Sequence, residues 1–171
     1  MISSSDSSVT ALGIDPGSNI TGWGVVRESS GRLELVANGV LRVKGSSFSE
    51  RLAFIFHGLH DIIEEYRPQE AGVEQVFTAK NIMSAIKLAQ ARGAAVAACA
   101  SFHLPVQDYE PTLVKKTLAG TGRAEKEQVA FMVARLLGRA HIEGPLDTTD
   151  ALAIAVCHLT LRRFRRLESL V

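Results

Sequence analysis

The sequence predicts an α/β fold. Its sheet is mixed and five-stranded, with three antiparallel strands followed by parallel crossovers, and helices cover its faces. Three observations carry this. Residues 9–16 form a largely apolar run, residues 20–28 and 32–43 alternate apolar and polar positions, and turn residues separate the three. From residue 49 onward, stretches with helical spacing take turns with short strand-like runs. No repeat, and no linker long enough to divide the chain, interrupts that order.

Taken in order, residues 9–16 read as a buried strand that ends in the turn Pro16-Gly17-Ser18-Asn19. Residues 20–28 and 32–43 read as strands joined by a hairpin at Ser29-Ser30-Gly31. Residues 49–66 carry Leu52, Ile55, Phe56, Leu59, Ile62 and Ile63 at helical spacing, with Ser49 as the expected cap and Pro68 past the end. Residues 69–76 return to strand. Residues 79–101 form a long Ala-rich helix whose small side chains suit close packing on a sheet. Residues 104–109 make a short strand. Residues 111–119 and 124–138 are helices split by Gly120-Thr121-Gly122, and a last helix runs from about Asp147 to Arg166. Antiparallel strands followed by crossovers place helices on both faces of one sheet. Such sheets bind ligands beyond strand ends, where the topology switches.

At 171 residues the natural expectation is one domain. Residues 1–8 are expected to be a disordered leader and residues 9–171 the domain. Ala94–Ala100 and Ala151–Cys157 are too short to span a membrane. The Ser-rich start lacks the pattern of a secretory signal. Cys99 and Cys157 sit in apolar segments and read as buried thiols of a cytoplasmic protein. The net charge of +1 is uneven. Residues 1–76 carry six Lys/Arg against ten Asp/Glu, whereas residues 77–126 carry seven against three. An acidic first part before a basic middle fits an acidic metal site that meets a polyanion, and it also fits plain solvated surface.

Four carboxylates stand in apolar settings: Asp15, Glu74, Asp147 and Asp150. A buried carboxylate is costly unless paired or bound to a metal. Each has a simpler reading. Asp15 suits the first position of a turn, Glu74 a solvent-facing strand position, and the Asp147/Asp150 pair a helix N-cap. Yet Asp15 and Glu74 close strands, and a spacing of three puts Asp147 and Asp150 on one helical face. Together they would bind Mg²⁺, which prefers oxygen ligands. Two such ions can serve phosphodiester hydrolysis. The five histidines are scattered, without zinc spacing, and read as ordinary.

These residues also carry a resemblance. From about Ala11 to His158 the chain resembles the RuvC family of bacterial Holliday-junction resolvases. The matching motifs are Leu12-Gly13-Ile14-Asp15-Pro16-Gly17-Ser18 with Thr21-Gly22, Glu74-Gln75-Val76-Phe77 with Ala79-Lys80-Asn81, Lys87-Leu88 with Gln90-Ala91-Arg92-Gly93, Ala124-Glu125-Lys126, and Asp147 with Asp150-Ala151-Leu152-Ala153-Ile154-Ala155.

The resemblance implies a ribonuclease-H-like fold and a homodimer that nicks two opposed strands of a four-way DNA junction. It implies two Mg²⁺ per active site, with Mn²⁺ able to substitute, and the RuvA–RuvB branch-migration complex as partner. Asp15, Glu74, Asp147 and Asp150 would be the metal-binding catalytic carboxylates. Some members have His where Asp147 stands. Lys115 and Lys126 would contact phosphate near the scissile bond and assist catalysis, Lys126 as a catalytic residue, and Phe77 would stack on a junction base. Lys80, Lys87, Arg92, Lys116 and Arg123 are further candidates for DNA contact. The basic tail Arg162–Arg166 reads as a solvated helix end.

Three other readings compete, one of them a related ribonuclease-H-like nuclease that acts on RNA or on another substrate. An actin-like ATPase shares the strand pattern and a similar first turn, but needs a second such domain. A non-catalytic junction-binding module would not need all four carboxylates.

Overall fold

The computed structural model describes residues 8–75 and 81–168. Three strands open it: β1 (Val9–Asp15), β2 (Ile20–Ser29) and β3 (Arg32–Arg42). Then follow α1 (Phe48–Tyr66), β4 (Glu70–Glu74), α2 (Ile82–Ser101) and β5 (Val106–Tyr109). The last three elements are α3 (Pro111–Ala119), α4 (Lys126–Leu136) and α5 (Leu146–Glu168). The strands lie in the order β3-β2-β1-β4-β5. β2 is antiparallel to both β1 and β3, while β4 runs parallel to β1 and to β5. This is the expected mixed sheet of five strands.

Strand periodicity sorts side chains into two cores. In β1, Leu12 and Ile14 face a layer built by α1 and α2, with Ile55, Leu59, Ala91 and Ala95. Val9 and Ala11 face the opposite layer, where α3, α4 and α5 supply Val114, Val129, Val133, Leu152 and Val156. Successive side chains of a strand point to opposite faces, so Asp15 continues the Ala11 face. In β4, Ala71 and Val73 belong to the α1/α2 layer, so Glu74 falls on the α5 side.

Several boundaries differ from expectation for local reasons. The cap of α1 is Ser47 rather than Ser49: its side chain accepts the Glu50 N–H at 3.2 Å, and the Glu50 carboxylate accepts the Ser47 N–H at 3.1 Å. That reciprocal pair satisfies donors the first helical turn leaves free. α2 begins at Ile82, because Asn81 caps it by accepting the Ser84 N–H at 2.8 Å. Ser30 and Gly31 both take positive φ, 49° and 81°, as a tight two-residue hairpin turn demands.

A larger difference concerns which helix lies closest to the sheet. The small residues of α2 (Ala91, Ala95 and Ala98) pack in the layer shared with α1. It is α5 that touches sheet backbone. A Cβ on Gly13 would stand 2.0 Å from the Ala151 carbonyl oxygen, and one on Gly22 would stand 2.1 Å from that of Asp147. Only residues without side chains allow that approach, and they belong to β1 and β2. No described helix is long and apolar enough to cross a membrane.

Candidate active site

The four carboxylates meet at one end of the sheet. In the parallel ladder, Gly13 pairs with Gly72 and Ile14 with Val73, so one step further sets Asp15 level with Glu74. In the antiparallel ladder Asp15 pairs with Gly22, on which the first turn of α5 rests. That contact lowers Asp147 toward the strand end, and Asp150 follows one helical turn later. Asp147 lies inside the first turn of α5, where a carboxylate suits the positive end of the helix. It does not cap the helix from outside. All four acids line one cleft with Lys115 and Lys126, walled by Pro111, Val114, Val129, Ala153 and Ile154.

The electrostatics of this cleft are unfavourable without a cation. Burial, then the charges of Glu74, Asp150 and Asp147, pushes the Asp15 carboxyl up to about 8 from an ordinary 3.8. Glu74 is also raised, by burial and by Asp150, against a hydrogen bond from Asp15 and the charge of Lys126. Burial and the mutual repulsion of the acids thus favour a proton shared within the Asp15–Glu74 pair. Shifts of this kind concentrate where a site is built for chemistry. The donors are all carboxylate oxygens, the set that hard divalent cations prefer, and the repulsion among them is what such a cation relieves. The residues fit a divalent metal.

Lys126 is the first residue of α4, and its ammonium lies 2.9 Å from Asp150 Oδ2. That contact, ahead of the nearby acids, holds the Lys126 ammonium above its ordinary range, although its side chain is 61% exposed. A cation at a helix N-terminus opposes the helix dipole, and here the acids compensate it. Lys115, on α3, lines the same cleft. Lys116, the next residue, is exposed and outside the cleft lining. Arg123 is exposed in the loop before α4, and Lys87 on α2 is exposed as well. Phe77 and Lys80 lie outside the described residues.

Arg92 is placed differently from expectation. Its guanidinium is tied to the Asp108 carboxylate and to the Glu74 carbonyl oxygen, the latter at 3.3 Å from Nε. Two of its three guanidinium nitrogens, Nε and Nη2, thus face acceptors of its own chain. The sequence carried no sign of this, because Asp108 sits 16 residues away on a neighbouring strand. Thr21 was likewise missed as a device: its hydroxyl donates to the Gly17 carbonyl at 2.9 Å and closes the turn that follows Asp15.

The histidines lie away from the cleft. Buried His158 meets the Tyr109 hydroxyl at 2.9 Å and Glu70 Oε2 at 2.7 Å, at the opposite end of β4. His60, Asp61 and Glu64 come within 4.8 Å of one another on the outer side of α1. Cys99 and Cys157 are both buried, and burial pushes the Cys99 thiol up to about 12.

Comparison with known proteins follows the same residues. The model of the family described as crossover junction endodeoxyribonuclease RuvC matches residues 11–158. A protein of that description from Oleidesulfovibrio alaskensis is 65% identical over 161 residues, covering 94% of this chain and 96% of the relative. One from Lawsonia intracellularis is 59% identical over 157 residues, covering 91% and 93%. A solved structure of Thermus thermophilus RuvC in complex with a Holliday junction substrate superposes with a TM-score of 0.85 at 34% identity, covering 91% of this chain and 96% of that one.

Proposed function

The chain belongs to the RuvC family of crossover junction endodeoxyribonucleases, and from that premise we propose that Asp15, Glu74, Asp147 and Asp150 are its metal-binding catalytic carboxylates. It is a junction-resolving endonuclease with a ribonuclease-H-like fold. It is metal-dependent as its family is, and the finer reading is two Mg²⁺ per site, with Mn²⁺ able to substitute. The observation that carries the reading is the convergence of four half-buried acids with two lysines in one cleft. Burial and the charges of the other three acids, which together push the Asp15 carboxyl up to about 8, support it.

Divalent cations bound there supply an activated water and charge stabilisation at the leaving oxygen of a phosphodiester. Asp15, Glu74, Asp147 and Asp150 would hold those cations, and the cations would relieve the repulsion that raises the Asp15 and Glu74 carboxyls. Lys126, already held at the rim by Asp150, offsets charge that develops on the phosphoryl oxygens. Lys115 meets the neighbouring phosphate. Val114, Val129 and Ile154 form an apolar wall that limits competing water. The products are a 5′ phosphate and a 3′ hydroxyl.

Around this centre we place Lys87, Lys116 and Arg123 as phosphate contacts on exposed surface, and Phe77 and Lys80 as contacts from the segment after β4. The four-way junction has two equivalent strands to cut, so the working unit is a homodimer. The exposed apolar start of α2 supports it, with Ile82 77% and Met83 61% exposed. The remaining parts of the reading are the RuvA–RuvB complex as partner, a cytoplasmic location, and residues 9–171 as one domain after a leader. An actin-like reading loses its support: the turn after Asp15 leads to an acid cluster, not to a glycine-rich phosphate cradle.

The test is a substrate panel. A synthetic four-way junction, a linear duplex and an RNA–DNA hybrid are each incubated with the protein and Mg²⁺. Paired symmetric nicks on the junction alone are expected. Equal cleavage of the hybrid or the duplex would overturn the assignment of substrate.

A further inference from the structure

Glu74 is the last residue of β4, and the strand end that carries it is held by more than its ladder. Gln75 N–H donates to the Tyr109 carbonyl at 2.8 Å, the final rung between β4 and β5. Val73 pairs with Asp108 and Glu74 with Tyr109. Arg92 reaches this point from α2, in the layer opposite the acid cleft. Its guanidinium bridges the Asp108 carboxylate of β5 and the Glu74 carbonyl of β4. Arginine suits this bridge, since its planar fork presents donors in fixed directions to two acceptors at once. A carbonyl at a strand terminus has few partners within the sheet, and the Arg92 bond fixes the peptide that follows the Glu74 side chain.

We propose that Arg92, oriented by Asp108, is a positioning residue for Glu74. It holds the end of β4 at the depth where the Glu74 carboxylate meets Asp15 and Asp150. The assignment rests on the reading of Glu74 as a metal ligand given above. Partners that orient a ligand from behind are worth about 10–100-fold in metal affinity or activity.

The experiment uses the full chain with Arg92→Ala, Asp108→Ala and the double variant, and with Glu74→Gln as reference. Mn²⁺ binding is read from the free-ion electron paramagnetic resonance signal of the DNA-free protein. The Mn²⁺ concentration for half-maximal junction cleavage is read in parallel, and junction affinity is measured without divalent metal. Arg92→Ala is expected to weaken Mn²⁺ binding and raise the half-maximal concentration by about tenfold, with junction affinity unchanged. Asp108→Ala shifts both readouts the same way by less, and the double variant is no worse than Arg92→Ala, as coupled partners require.

Loss of junction affinity with Mn²⁺ binding intact would overturn the proposal in favour of a DNA contact. Unchanged values in Asp108→Ala would overturn it too, and that variant carries the test if Arg92→Ala does not fold. A Glu74→Gln protein that binds Mn²⁺ and cleaves like the unmodified chain would instead remove the reading of Glu74 itself.

Discussion

Lys126 Nζ and Asp150 Oδ2 stand 2.9 Å apart, so a lysine of the cleft is paired with one of its four acids. In the proposed role, the pair sets Lys126 in competition with a metal for Asp150 and holds it where the phosphate would arrive. Lys126→Ala therefore separates two effects. The cleavage rate at saturating Mg²⁺ is expected to fall by about 10²-fold, the usual loss when one charge-stabilising donor is removed. The Mg²⁺ concentration for half-maximal rate is expected to fall as well, since a like charge leaves the site. Single-turnover cleavage across a Mg²⁺ titration reads both quantities. A rate loss that excess Mg²⁺ restores would contradict the role.

The proton on Asp15 makes stability depend on pH. Its folded value of about 8 lies above the ordinary 3.8, so the folded chain binds this proton more tightly than the unfolded chain. Stability from this group is full below about pH 4 and is lost as pH rises through 8. With chelator present, the protein should melt lower at pH 9 than at pH 6. Asp15→Asn should show a smaller drop, and should melt higher than the original chain at pH 9. Each 1 kcal/mol corresponds to about 2–4 °C in a chain of this size. Mg²⁺ should reverse the loss in the original chain and leave the variant unmoved. Calorimetry at the two pH values checks this, and identical profiles would contradict it.

Gly22 sets the height of α5 over the sheet. A Cβ there would stand 2.1 Å from the Asp147 carbonyl oxygen, which is backbone and cannot swing aside. Gly22→Ala is expected to destabilise the fold by about 1–3 kcal/mol. It should also slow cleavage by about 10²-fold, because displacement by roughly 1 Å at a catalytic group costs that much. Gly93 is the contrast: a Cβ there meets nothing within 4 Å. Gly93→Ala in the α2 interior should raise stability by about 0.5–1 kcal/mol. Thermal unfolding of the two variants side by side gives the comparison.

The strands and the acids could be read from sequence because period-2 alternation is local. Leu12 and Ile14 against Ala11 and Asp15 define two faces without any knowledge of their neighbours. The pair Asp147 and Asp150 could be read as sharing a face because helical spacing is local as well. What could not be read were relations between distant segments. Small residues mark close approach, but those of α2 and those of β1 and β2 look alike in sequence. Only the sheet register shows that Gly13 and Gly22 lie together beneath α5. The bridge made by Arg92 could not be read either, because its acceptors come from β4 and β5. The cap of α1 lies two residues before the expected Ser49 because Ser46, Ser47 and Ser49 all offer a hydroxyl, and the reach of Glu50 decides among them.

The central claim is that the four carboxylates are assembled for metal-dependent cleavage and not for junction binding. Asp15→Asn tests it most directly, with a four-way junction in Mg²⁺ and both binding and cleavage measured on the same preparation. Junction affinity is expected to stay within about twofold of the original chain, far below the 1.4 kcal/mol of a tenfold change. Cleavage is expected to fall by about 10³-fold or more, equivalent to about 4 kcal/mol of lost transition-state stabilisation. Cleavage at the original rate would contradict the account.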